Sequence, residues 1–424
     1  MRLNRAVAAV LLLPALAFGV VACGDKEEEP GTAGTATTGE TPSGNLTVYS
    51  SLPLQGGSRT QALALVNGAK LALEQAGGKA GNFNITYQSL DDSTAQAGKW
   101  TPETVSQNAR KVAQDASAAV YIGEFNSGAS AVSIPLLSEA KVPMISPANT
   151  AVGLTSDEPG AEKGEPLKYY PSGFRNYTRI APKDTIQGAA LATTMKEDGC
   201  TKIAMANDKE VYGAGLSRNI ETAAKAQGLN VLFNEGIDPK AANFRSLASK
   251  AKGEGADCFV FGGITANGAV QLFKDFSAAI PAAKLYGGDG VTDSEFVDPK
   301  KGGIPASVSK KIKITVATLD PGSYPAEGKA FFAEFAKKYG DDNPDPYAIY
   351  GYEAMGLALD AIKRSVTGKK EDVVKALFDT KDRVSVLGTY SIDENGDTTL
   401  TDYGLYSVDG GELKFAKTIK AATS

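Results

Sequence analysis

At 424 residues the chain is longer than one compact core fills, so two domains are the default, and 42% hydrophobic with 22% charged residues is an ordinary globular composition. The formal net charge of -5 argues against nucleic acid as a partner. There is no histidine, which excludes Ser-His and Cys-His catalysis and His-ligated metal together.

In chain order, residues 1–22 read as a leader. Arg2 and Arg5 form its basic start, and the apolar stretch 6–21 is too short for a mature membrane span. Val20-Val21-Ala22-Cys23 resembles a bacterial lipobox, in which Cys23 becomes the lipid-modified first residue after cleavage. In a plain secretory signal Cys23 would be incidental; its position favours the lipobox. Residues 23–44, rich in Gly, Thr, Pro and Glu, bury too little apolar surface to order themselves and read as a flexible tether.

From 46 onward strand and helix alternate. A strand is expected at 46–50, a polar loop at 51–59, and a helix at 61–75 with Leu65, Ala69, Ala72 and Ala76 on one stripe. A second strand, 83–90, ends at Asp91-Asp92. Thr101 has the position of an N-cap with Pro102 first in the helix, and Trp100 is placed to staple against Val105, a structural reading preferred to ligand stacking.

The stretch 118–150 organises the chain. Two apolar runs, 119–123 and 142–145, give way at once to small polar residues: Asn126, Ser127 and Gly128 after the first, Ser146, Asn149 and Thr150 after the second. Such runs read as buried parallel strands, whose carboxyl-end loops line the crevice of an open α/β sheet. Ser127 would open a helix and offer its hydroxyl and free backbone N–H groups to an anion. This is the carboxylate-holding half of a small-molecule site.

The polar loop 156–172 is long enough to be a functional loop near the mouth, with a surface excursion as the alternative. A second series then begins, with helices at 184–196, 212–227, 243–252 and 267–277 and strands at 202–206, 229–236, 258–262 and 284–286. Two such series make two doubly wound α/β domains. Cys200 and Cys258 each precede an apolar run, so an exported protein would join them at the amino ends of adjacent strands; two unpaired buried thiols are the alternative. The last quarter holds a strand at 312–318, helices at 325–339 and 347–367 with aromatic core stripes, and short strands over 386–417 around a hairpin at Asn395-Gly396. The acidic run 393–397 lacks the glycine and glutamate of a calcium loop and reads as a turn.

These residues carry a resemblance. Tyr121-Ile122-Gly123 with Ser127, then Ser146-Pro147-Ala148-Asn149-Thr150, then Asp208–Leu216 (DKEVYGAGL), Gly262-Gly263, Gly288-Asp289-Gly290-Val291 and Asp393–Asp397 follow in one order from 46 to about 407. In that order the chain resembles the branched-chain amino acid (leucine/isoleucine/valine-binding) substrate-binding lipoproteins of ABC importers. The resemblance implies a type I periplasmic-binding-protein fold, two Rossmann-like lobes joined by a three-crossing hinge. Lobe 1 would be 45–178 with 318–388, and lobe 2 would be 179–317 with 389–424.

It also implies a site. Ser127 and Thr150 match positions whose hydroxyls hold the ligand carboxylate, beside Asn149, and Ala148 one whose carbonyl receives the ammonium. Asp289 matches the acid, usually glutamate, that pairs with the ammonium from the other lobe. Phe125, Asn126, Tyr212 and Tyr347 match lining positions, and Ile264 stands where the family has a tyrosine. No cofactor, metal or catalytic residue is implied. The implied partners are an amino acid, branched-chain or otherwise apolar, an ABC permease, and the membrane through a lipid anchor only. The implied state is an exported monomer, lipid-anchored to the outer face of the cell membrane or periplasmic. Another carboxylate or amide ligand, or an extracellular sensor module, is the alternative. An enzyme finds no phosphate loop, Cys-x-x-Cys or nucleophile elbow, and Gly213-Ala214-Gly215 ends in Arg218 where a dinucleotide fingerprint needs glycine.

Overall fold

The computed structural model describes residues 43–420. The leader (1–22), Cys23 and all but the end of the tether lie outside the described residues.

The chain opens with β1 (Gly44–Leu52), α1 (Arg59–Gln75), an edge strand β2 (Lys79–Ala80) and β3 (Phe83–Asp91). A ribbon of β4 (Ser93–Thr94) and β5 (Lys99–Trp100) leads to α2 (Pro102–Gln114), β6 (Ala118–Ile122), α3 (Ser127–Glu139), β7 (Met144–Ser146) and β8 (Tyr177–Arg179). They form a six-stranded sheet in the order β2-β3-β1-β6-β7-β8, parallel apart from its β2 edge. All five residues of β6 are buried, as a strand covered on both faces by helices requires. Thr101 caps α2, accepting from Thr104 N–H with Pro102 behind it.

The second series runs α4 (Asp184–Glu197), β9 (Lys202–Asn207), α5 (Val211–Ala226), β10 (Asn230–Gly236), α6 (Arg245–Glu254), β11 (Cys258–Gly262), α7 (Ala269–Ala279) and β12 (Lys284–Gly287). Two single turns, α8 (Ser294–Val297) and α9 (Ala306–Ser309), precede β13 (Ile312–Val316). Then come α10 (Ala326–Tyr339), α11 (Ala348–Ser365), α12 (Lys370–Phe378), a ribbon of β14 (Arg383–Ser385) and β15 (Gly388–Tyr390), and finally β16 (Asp402–Asp409) and β17 (Glu412–Lys420). The second sheet is seven-stranded, β10-β9-β11-β12-β13-β16-β17, parallel as far as β13 and antiparallel beyond it.

The chain passes between the two halves three times: after β8, after β13 and before β16. Helices α10 to α12 return to the first half, where α11 packs along α1. Paired glycines allow that approach: a Cβ on Gly68 would stand 2.0 Å from Ala348 O, and one on Gly351 2.0 Å from Leu65 O. At the crossings, fully buried Arg179 donates through Nε to Asp397 Oδ1 at 2.6 Å and through Nη1 to Ala151 O at 2.8 Å. The guanidinium thus braces two crossings with the loop after β7, its charge answered by Asp397 as a buried ion requires.

Cys200 and Cys258 are joined, with Cα atoms 5.8 Å apart, across neighbouring strands β9 and β11. The sequence reading went astray at the C-terminal end. Asn395-Gly396 makes only a tight turn closed by one bridge, Ile392 with Thr398, whereas the long hairpin turns at Gly410-Gly411 between β16 and β17. Gly410 and Gly411 both have positive φ, which supplies the reversal. Helix α12 was unanticipated because its nine residues are too few for a clear apolar period.

Candidate functional site

Eight residues singled out in the sequence converge on one cavity between the halves. Its lining is Phe125, Asn126 and Ser127 after β6, Ala148 and Thr150 after β7, Tyr212 on α5, Ile264 after β11, and Asp289 and Gly290 after β12, with Ser58 just before α1 and Gln61 within it. Most are loop residues at carboxyl ends of parallel strands, where an open α/β sheet leaves backbone groups and helix starts free. The cavity measures about 20 Å³, room for about one water molecule, so the halves stand closed.

The wall from the first half is rich in hydroxyls and amides. Ser127 is the first residue of α3, whose N-cap Asn126 makes no side-chain cap bond, so the helix start presents its N–H groups and partial positive charge. Ser127 Oγ accepts from Ala151 N–H at 3.3 Å. Thr150 Oγ1 is buried and has no hydrogen-bond partner among the described residues.

The wall from the second half carries a negative charge. Asp289 Oδ1 accepts from Tyr212 OH at 3.0 Å, and Tyr212 OH accepts from Gly290 N–H at 3.2 Å. Burial raises the Asp289 carboxyl above the usual range, opposed by hydrogen bonds from Gln187, Tyr212 and Tyr347. Among the described residues no ion pair includes Asp289. Half-buried and facing the cavity, the carboxylate is placed to receive a cation.

Two of the singled-out residues stand behind the lining. Asn149 is buried with its amide tied to the loop: Nδ2 donates to Phe125 O at 2.9 Å, and Oδ1 accepts from Tyr177 OH at 3.0 Å. Tyr347 packs edge-on against Phe125 with ring centres 5.3 Å apart, its hydroxyl directed to Asp289. The 156–172 loop supplies no lining residue; it buries Tyr169 and Tyr170 and receives Arg218 of α5 at Gly160 O. Ser58 and Gln61 were missed. Each sits at or near a helix start, where a polar residue has a local explanation and only packing between distant segments shows another.

A larger hollow of about 520 Å³ adjoins the cavity across Gln61 and contains Asp293, Asp320, Asp341 and Asp345. All four carboxylates accept local backbone N–H groups, so their chemistry is used in shaping turns. The smaller cavity, with opposed unmet groups, is the candidate site.

A crevice between two α/β halves, with a helix start on one wall and a carboxylate on the other, has the form of a small-molecule site. The chain belongs to the periplasmic binding protein family, whose model matches residues 50–412. It is therefore a receptor for a small molecule outside the cytoplasm, of the kind that serves ABC transporters, and the family does not consist of enzymes. Among relatives, the Leu/Ile/Val-binding protein BraC3 of Rhizobium johnstonii is 26% identical over 383 residues, covering 88% of this chain and 94% of that protein. A Leu/Ile/Val-binding protein homolog of Brucella melitensis is 25% identical, covering 85% and 89%. Among solved structures, the leucine-binding protein LivK of Thermotoga maritima superposes with a TM-score of 0.74 at 22% identity, covering 88% of this chain and 99% of that one. A solute-binding protein of R. palustris in complex with benzoate superposes with a TM-score of 0.70 at 22% identity, covering 90% and 98%. These likenesses establish the type I periplasmic-binding fold.

Proposed function

We propose that the cleft binds an α-amino acid with an apolar side chain and delivers it to an ABC permease. In this reading Ser127, Thr150 and the start of α3 hold the carboxylate, with Asn149 setting the loop. Ala148 O and Asp289 receive the ammonium, and Phe125, Asn126, Tyr212, Ile264 and Tyr347 shape the side-chain space. The single observation that carries it is Asp289: a half-buried carboxylate, in no ion pair among the described residues, across one cavity from a helix start that favours an anion. A zwitterion answers both walls at once. Benzoate, bound by one similar protein, carries no group for Asp289.

The lobes are 45–178 with 318–388, and 179–317 with 389–424. Residues 1–22 are a cleaved leader, Cys23 carries the lipid, 23–44 is the tether, and the receptor acts as a monomer. The relatives named for Leu, Ile and Val support the ligand class. The test is to denature the purified protein, identify the released small molecule by mass spectrometry, and titrate the stripped protein with leucine, isoleucine, valine and benzoate. Recovery and rebinding of an apolar amino acid are expected; recovery of an aromatic acid with no amine would overturn the reading.

A further inference from the structure

A short ribbon of the first half reaches across the cleft. In it β4 and β5 pair antiparallel, Ser93 with Trp100 and Thr94 with Lys99, around a turn in which Gly98 N–H donates to Thr94 O at 2.9 Å. The ribbon is seated firmly on its own half. Gln55 N–H donates to Ser93 Oγ at 2.9 Å, and a Cβ on Gly56 would stand 1.8 Å from Gly98 O, an approach that only glycine permits. Trp100 lies on the start of α3, where a Cβ on Gly128, the residue after Ser127, would meet Trp100 Cζ2 at 2.7 Å.

Lys99, beside Trp100, leaves the first half altogether. Its Nζ donates to Glu210 Oε1 and to Asn267 Oδ1, both at 2.7 Å and both in the second half. Among the described residues Lys99 and Glu210 form no other ion pair. From Asn267 the bonds continue inward: Nδ2 donates to Glu210 Oε1 and to Asp208 Oδ2, each at 2.8 Å, and Asp208 Oδ2 accepts from the backbone N–H of Ile264 at 3.0 Å. Ile264 lines the cavity. Ser58, Asn126 and Ile264 also line a neighbouring crevice of about 10 Å³, whose walls include Gly98, Lys99 and Trp100. The ribbon therefore covers one side of the cavity, and Lys99 fastens it there.

We propose that Lys99 is a positioning residue that latches the closed receptor through Glu210 and Asn267 and sets the rate at which the bound amino acid leaves. The inference rests on the amino acid reading of the cleft and deepens it. The two hydrogen bonds of Lys99 cross between the halves, so they exist only in the closed form, and opening returns their groups to water. An interaction lost on opening slows release, whereas an open receptor meets its ligand without it. The side chains of Lys99 and Glu210 are 31% and 20% exposed, so their attraction exceeds that of a free surface pair and salt still reaches it.

The experiment loads the whole receptor with radiolabelled leucine and follows its loss after mixing with excess unlabelled leucine. Fluorescence of Trp100, the single tryptophan, reports the ribbon under the same mixing. Lys99→Ala and Glu210→Gln should each release leucine roughly fivefold faster, with association within about twofold of wild type, and Lys99→Arg should release it near the wild-type rate. The double variant Lys99→Ala, Glu210→Gln should release no faster than either single one, because each change removes the same contact. Salt at about 0.5 M should speed release from the wild type and leave Lys99→Ala unaffected. Wild-type release rates in both single variants, or effects that add in the double one, would overturn the inference and leave the amino acid reading standing. Release from the wild type that ignores salt would overturn it too, which decides the matter even if a variant does not fold. If leucine, isoleucine and valine all fail to bind the wild type, both readings fall.

Discussion

Gln61 and Thr292 stand on opposite walls of the cleft, and Gln61 Nε2 donates to Thr292 Oγ1 at 2.9 Å. Thr292 Oγ1 donates in turn to the backbone carbonyl of Asp289 at 2.7 Å. The pair therefore ties α1 to the loop that presents the acid, and it exists only while the halves are closed. One buried neutral hydrogen bond contributes about 1 kcal/mol to that closed form. Gln61→Ala should weaken ligand binding about fivefold by lowering the closed population. Calorimetry measures the affinity, and small-angle scattering should find the unliganded variant more open than the wild type.

Ser127 and Asn149 separate binding from scaffolding. Ser127 lines the cavity at a helix start, whereas Asn149 holds the loop from behind through Phe125 O and Tyr177 OH. Ser127→Ala should cost roughly tenfold in affinity with Tm nearly unchanged. Asn149→Ala strands a buried carbonyl and a buried hydroxyl, and should lower stability by about 2 kcal/mol. Thermal unfolding and calorimetry on both variants check the split; equal effects on both properties in both variants would remove it.

Asp92 and Glu124 make a buried acid pair behind the carboxylate-holding loop. Burial first, then the charge of Glu124, hold the Asp92 carboxyl well above the usual range, and burial also raises Glu124 against hydrogen bonds from Tyr121 and other neighbours. With folded values above unfolded ones, the pair's contribution to stability is full below about pH 4 and is lost as pH rises through the elevated values. Asp92→Asn should therefore raise Tm more at mildly alkaline than at acidic pH. Melting curves across pH for both proteins test the sign, and parallel curves would contradict it.

The disulfide closes a loop whose ends are 58 residues apart. Constraining the unfolded chain over that length corresponds to about 4 kcal/mol. The Cys200→Ala, Cys258→Ala double variant should unfold at lower denaturant concentration by about that amount while binding its ligand normally. Unchanged stability would show that the bridge contributes nothing.

Much of this was legible from residue pattern. Short apolar runs ending at Gly, Ser or Asn mark buried parallel strands, so the two series, the cavity loops and the caps at Thr101 and Pro102 could be read directly. The opposition of Ser127 and Asp289 came from motif order, because nothing local in Gly-Gly-Asp-Gly distinguishes an acid in a cleft from a turn. Gln61 and Arg179 could not be read at all. Their roles come from packing between distant segments, as the 231-residue separation of Gln61 and Thr292 illustrates.

The central claim is that an acid in the cleft faces a ligand ammonium, and Asp289→Ala tests it most directly. Titration of the stripped variant with the amino acid that co-purifies with the wild type should show affinity lower by roughly a hundredfold or more, because removing one partner leaves the other charge buried alone. Circular dichroism should show the fold retained. Near-normal affinity in a folded Asp289→Ala receptor would contradict the account.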